Sequence, residues 1–260
     1  MFGMAGETEF DLRFELLGVP IRVHPIFWIS SIWIVWDGED PRRVFVGVLC
    51  IFVSVLVHEM GHGLLSRRYG FPSEIVLYIL GGYATATRFS MWKNVKVSAA
   101  GPAAGFVLFI LTYIIFRILA VTNPESLIGG SMVAYAIRMM LFANLIVTFM
   151  NLVPCVPLDG GRITESLMNR YGGRDSTIRT IQIGIAASAL VALRGLYCMN
   201  NPRADMLPLP QFLFPQFRIG EMVYSWHGGM IQPEPKFLLI FFGFLCAQQI
   251  IAYNEMNGRR

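Results

Sequence analysis

Val57-His58-Glu59-Met60-Gly61-His62-Gly63 is the stretch around which the rest of the chain is arranged. It reads HExxH inside an apolar run, from Val44 to Leu65, that is long enough to cross a bilayer. On a helix, positions i and i+4 share one face. His58 and His62 therefore stand side by side, and two neutral imidazoles so placed bind one Zn²⁺. Glu59 adjoins them and is placed to take a proton from water. The competing reading is a polar patch satisfied by packing. Ionisable groups at membrane depth are expensive and mark function, so spacing, metal chemistry and membrane cost together favour the metal.

The composition agrees with a membrane setting. Of 260 residues, 55% are hydrophobic and only 15% are charged, against about 25% charged in soluble domains. The net charge of +4 follows from arginines that flank the spans. No run joins basic clusters to spaced aromatics in the manner of a nucleic-acid binder, so no nucleic-acid partner is expected. Cys50, Cys155, Cys198 and Cys246 form no CxxC pair, and read as small hydrophobes rather than as a thiolate or redox site. The first residues lack the basic-then-apolar pattern of a cleavable signal.

Working outward, the expected fold is an all-α polytopic membrane protein with about six transmembrane helices and a short membrane-embedded β-ribbon. Residues 1–22 form an N-terminal arm, in which Phe10 to Leu17 alternates weakly. Residues 23–194 form the core, 195–235 an extramembrane Pro-rich loop, and 236–260 a last span with a polar tail. The first span is Ile26 to Trp36, short and Trp-rich, and His24 before it reads as the cap of a helix start. The others run from Val44 to Ser66, Val97 to Leu119, Met132 to Val153, Ile178 to Leu193 and Phe237 to Ile251. Between the second and third, Ile75 to Leu80 and Tyr83 to Phe89 flank Gly81-Gly82 as a β-ribbon. Its edge is tolerated at membrane depth only if buried in protein or facing a water-filled cavity. Thr164 to Tyr171 reads as a short amphipathic helix. Lys and Arg are in excess beside Arg67-Arg68 and on the same side of the other spans, which places both termini in the cytoplasm. Counting about 1.5 Å per residue, His58 lies roughly 14 Å below the arginine level.

Two histidines leave zinc short of protein ligands, because a catalytic site usually has three and keeps one position open. Asp159 lies in Asn151-Leu152-Val153-Pro154-Cys155-Val156-Pro157-Leu158-Asp159-Gly160-Gly161, where two prolines break the helix. Its carboxylate is free to turn towards a metal. Capping a helix that begins near Gly161 accounts for it equally well.

With those residues stated, the chain resembles the site-2 protease family of intramembrane zinc metalloproteases. HEMGH at His58 to His62 and the Asn151-x-x-Pro154-x-x-x-x-Asp159-Gly160 pattern carry the resemblance. Val23-His24-Pro25, Gly81-Gly82 and Gly101-Pro102-x-x-Gly105 are weaker matches. The resemblance implies that Asp159 is the third ligand of one Zn²⁺ per chain, that Glu59 is the catalytic base, and that Asn151 holds the substrate carbonyl or the substrate strand. It implies an integral protein of the cell membrane that hydrolyses peptide bonds in or near transmembrane segments of other proteins. No PDZ or CBS module is recognisable. A membrane metalloprotease with a distant Glu as third ligand, a catalytically silent zinc-binding scaffold and a transporter are the rival readings. Intact Glu59 disfavours the scaffold, and the absence of paired inverted halves disfavours the transporter.

Overall fold

Leu12–Leu16 (β1) and Val19–Val23 (β2) form a hairpin in the N-terminal arm. Leu16 pairs with Val19, so only Leu17 and Gly18 make the turn. Both have positive φ, 51° and 78°, as a type I′ turn requires. The computed structural model describes residues 6–36, 40–79, 81–84, 89–128, 130–201, 216–219, 222–225 and 235–257. The weakly alternating N-terminal arm thus contributes two strands to a sheet. β2 pairs in parallel with Ile75–Tyr78 (β3), and β3 pairs antiparallel with Gly81–Ala84 (β4), giving the order β1-β2-β3-β4. The anticipated ribbon is therefore the outer half of a four-stranded sheet. Its Leu80 and its Thr85 to Arg88 portion lie outside the described residues.

The chain divides into two compact units, one of Met1–Thr87, Ala103–Thr148 and Phe214–Met230, the other of Arg88–Pro102, Phe149–Leu213 and Ile231–Arg260. In the first, the strands lead into Pro25–Val35 (α1) and Pro41–Arg68 (α2). His24 caps α1, its Nδ1 accepting from the Ile26 amide at 3.2 Å, with Pro25 at the position where a missing N–H costs nothing. Asp40 caps α2 through the Arg42 amide at 2.9 Å, and Arg67-Arg68 occupy its last turn, where positive charge suits the helix dipole. Val19, Ile21, Val23, Phe27, Val55, Met60, Ile75 and Leu77 are among the residues of one buried cluster, which also takes in Met139 and Phe142 of Met132–Leu152 (α4). The sheet is held against the helices by this apolar contact. Met91–Thr122 (α3) and α4 each contribute residues to both units. A second hairpin, Gln216–Ile219 (β5) with Met222–Ser225 (β6), belongs to the first unit.

In the second unit, Asp159–Tyr171 (α5), Ser176–Asn200 (α6) and Pro235–Asn257 (α7) follow one another. Cys155, Ala192, Cys198, Leu238, Phe242 and Leu245 form its buried cluster. Gln249 of α7 donates to the Val156 carbonyl at 2.8 Å, which ties α7 to the turn between α4 and α5. A Cβ on Gly160 would collide with the Leu152 and Val153 carbonyl oxygens, so glycine is what lets α5 start hard against the end of α4.

Five helices are long and apolar enough to cross a membrane: Pro41–Arg68, Met91–Thr122, Met132–Leu152, Gly173–Asn200 and Pro235–Asn257. α1, expected to be a span, has 11 residues and reaches only about 16 Å as a helix.

Candidate metal centre

α2 is a 28-residue helix, so the HExxH residues sit deep within it, about five to six turns from its start. His58 and His62 are both buried and one turn apart, and their Nε2 atoms are 3.3 Å apart. Two nitrogens at about 2.0–2.1 Å from a tetrahedral metal are separated by roughly 3.3–3.4 Å. The spacing therefore fits a shared ion, and the rings meet edge-on at 78°.

Asp159 is the first residue of α5 and is buried. The N-cap position of that helix is Leu158, which makes no side-chain cap bond, so Asp159 stands one residue inside the cap position. His58, His62 and Asp159 each offer a ligand atom, and these atoms lie within 4.8 Å of one another. Among the described residues this is the group able to hold a metal ion. Two neutral nitrogens and one carboxylate oxygen form a borderline-hard donor set that suits Zn²⁺.

Glu59 is 6% exposed and follows His58 directly on α2. Gly82 of β4 lies against it: a Cβ there would fall 2.8 Å from Glu59 Cγ and 2.9 Å from Leu77 Cδ2. Only glycine leaves the Glu59 side chain its place. Asn151, the next-to-last residue of α4, is half-buried. Sequence reading had singled out Gly82 as a breaker of the ribbon and as part of a weak family match, not as a neighbour of Glu59. Its contact with Glu59 depends on the pairing of β3 with β2, which no local pattern announces. Thr148 was missed altogether, and Gly105 was noticed only within the Gly101-Pro102-x-x-Gly105 pattern, because nothing local ties either residue to His58.

The model of peptidase family M50 matches residues 46–135 and 118–194. The chain belongs to peptidase family M50. Like this M50 chain, a zinc metalloprotease of Methanocaldococcus jannaschii carries the same core, with 30% identity over 72% of this chain and 54% of that protein. Stage IV sporulation protein FB of Bacillus subtilis is 24% identical over 58% of this chain and 48% of its own length. The chain thus spans about half the length of these curated relatives. The solved site-2 protease from Methanocaldococcus jannaschii shares the fold at a TM-score of 0.54 and 19% identity, covering 94% of this chain and 95% of that one. The M50 core is an integral membrane one, built on apolar helices.

Proposed function

We propose that this protein is an intramembrane zinc metalloprotease that hydrolyses peptide bonds in or near transmembrane segments of membrane-protein substrates. The observation that carries the reading is the convergence of His58, His62 and Asp159 beside a buried Glu59. His58, His62 and Asp159 would hold one Zn²⁺. When bound, the ion supplies Lewis acidity, polarising the scissile carbonyl and lowering the pKa of water. Glu59 takes the proton of the attacking water and returns it to the leaving amine. Asn151 donates its side-chain amide to the carbonyl oxygen, which gains charge as the tetrahedral centre forms.

A transmembrane helix keeps its peptide bonds hydrogen-bonded, so it has to be unwound before attack. β4 stands at the edge of its sheet with Gly82 against Glu59. An extended substrate strand added to that edge by backbone pairing would be delivered beside the base. The first membrane segment crosses as strand and helix together: laid end to end, β2 and α1 reach about 33 Å, close to the roughly 30 Å of the hydrocarbon core. A strand is permitted there because Val19, Ile21 and Val23 are buried in protein. That makes six crossings, both termini in the cytoplasm, and the cell membrane as the site of action.

Zinc content and cleavage of a transmembrane reporter, measured on the same detergent preparations, test the reading. Wild type is expected to hold about one zinc per chain and to cut, and His58→Ala, His62→Ala and Asp159→Ala each to lose metal and activity. Undiminished zinc in all three variants would overturn the ligand set. Zinc binding by a wild type that cuts no membrane peptide would favour a scaffold.

A further inference from the structure

A threonine hydroxyl inside a helix ordinarily bonds to the carbonyl one turn back. Thr112, Thr122, Thr164 and Thr180 all do so, at 2.8, 2.9, 2.7 and 2.9 Å. Thr148, in the last third of α4, does not. Its side chain is 6% exposed, and its buried Oγ1 makes no hydrogen bond. A buried hydroxyl left unpaired costs about 1–3 kcal/mol, so this rotamer is not set by the needs of its own helix.

The hydroxyl faces Gly105 of α3. A Cβ on Gly105 would lie 2.8 Å from Thr148 Oγ1 and 3.9 Å from His58 Nδ1. Three helices thus bring a hydroxyl, an imidazole nitrogen and a glycine around one methyl-sized space. His58 turns its other nitrogen, Nε2, towards His62. An imidazole that binds metal through Nε2 carries its proton on Nδ1, and an acceptor for that proton fixes the tautomer and the ring plane.

We infer that Thr148 is a positioning residue of the metal centre: its hydroxyl accepts the Nδ1 proton of His58, directly or through one water, and Gly105 keeps the space for that contact open. The inference rests on His58 being a metal ligand. Thr148 touches neither substrate nor metal and acts through the ring. The hydroxyl then has a partner once the metal has fixed the tautomer, which accounts for a rotamer its own helix does not reward.

The test is zinc affinity by chelator competition on the full-length protein in detergent, with the absorption spectrum of the cobalt(II) form as a reading of ligand geometry. Thr148→Val keeps the shape and removes the acceptor, Thr148→Ser keeps the hydroxyl, and Gly105→Ala displaces it. Thr148→Val is expected to weaken zinc binding about 10- to 100-fold and to change the cobalt spectrum. Its metal-free thermal unfolding should match wild type or exceed it. Thr148→Ser should stay close to wild type, and Gly105→Ala should weaken zinc as the valine does. Thr148→Val binding zinc as tightly as wild type would overturn the inference, as would Thr148→Ser losing as much affinity as the valine. A wild type that binds no zinc at all would instead overturn the metalloprotease reading on which the inference depends.

Discussion

Glu59 and Asp11 show how differently two carboxylates are used. Glu59 is buried beside the metal ligands and against Gly82. Glu59→Gln keeps size and shape but removes a useful base, since an amide does not take up a proton near neutral pH. Cleavage should fall by at least the roughly 10²–10⁴-fold typical of losing general-base action, with zinc content unchanged. Wild-type rates from the glutamine variant, measured with zinc on the same sample, would contradict the role. Asp11 does structural work outside the membrane-spanning helices. It accepts from the Thr8 hydroxyl at 2.6 Å and from Arg22 at 2.9 Å, and these contacts hold its carboxyl far below the usual carboxylate range. A depressed carboxylate stabilises the fold above its unfolded pKa, about 3.9, and that contribution fades as pH falls through the lower folded value. Amide protection across Leu12 to Val23, taken relative to the intrinsic exchange rate at each pH, should therefore be steady from neutral pH down to about 5 and fall below about 4. Asp11→Asn should exchange faster already at neutral pH and respond less to acid.

At the scale of elements, the β1–β2 hairpin is the part most open to improvement. Leu17 adopts φ 51° while 72% exposed, so its side chain contributes little packing in return for a left-handed backbone. That conformation costs an ordinary residue roughly 1–2 kcal/mol, and asparagine tolerates it better. Leu17→Asn should stabilise the protein by about 0.5–1 kcal/mol, read as a rise in the thermal unfolding midpoint. An unchanged or lowered midpoint would mean that Leu17 is held by something other than the turn. The hairpin was half legible. Leu12-Arg13-Phe14-Glu15-Leu16 and Val19-Pro20-Ile21-Arg22-Val23 alternate as strands do, but Leu-Gly is a poor announcement of a type I′ turn, and Pro20 weakens the second run. The helices α2 and α4 were legible to within about three residues at each end, because a long apolar run between polar ends has few alternatives.

At the scale of the molecule, orientation is the outstanding expectation. If β2 and α1 together complete a crossing, both termini lie on the Arg67-Arg68 side, where basic residues are in excess. Cysteines introduced at Ala5 and Asn257, after replacement of Cys50, Cys155, Cys198 and Cys246, should resist an impermeant reagent added outside intact cells. They should react after the membrane is opened. Labelling of either position from outside would refute this topology.

The metal chemistry was written in the sequence, because His58, Glu59 and His62 lie within five residues and helical spacing alone puts the two histidines on one face. The membrane setting was written there too, as apolar length. Asp159 could not be placed by spacing: the same turn allows a cap or a ligand, and only folding brings its carboxylate within 4.8 Å of both imidazoles. The sheet, the contact of Gly82 with Glu59, and the meeting of Thr148, Gly105 and His58 were likewise decided by tertiary structure. Each joins residues far apart in the chain. Glycine and threonine in apolar segments look alike until packing shows which of them has a neighbour to serve.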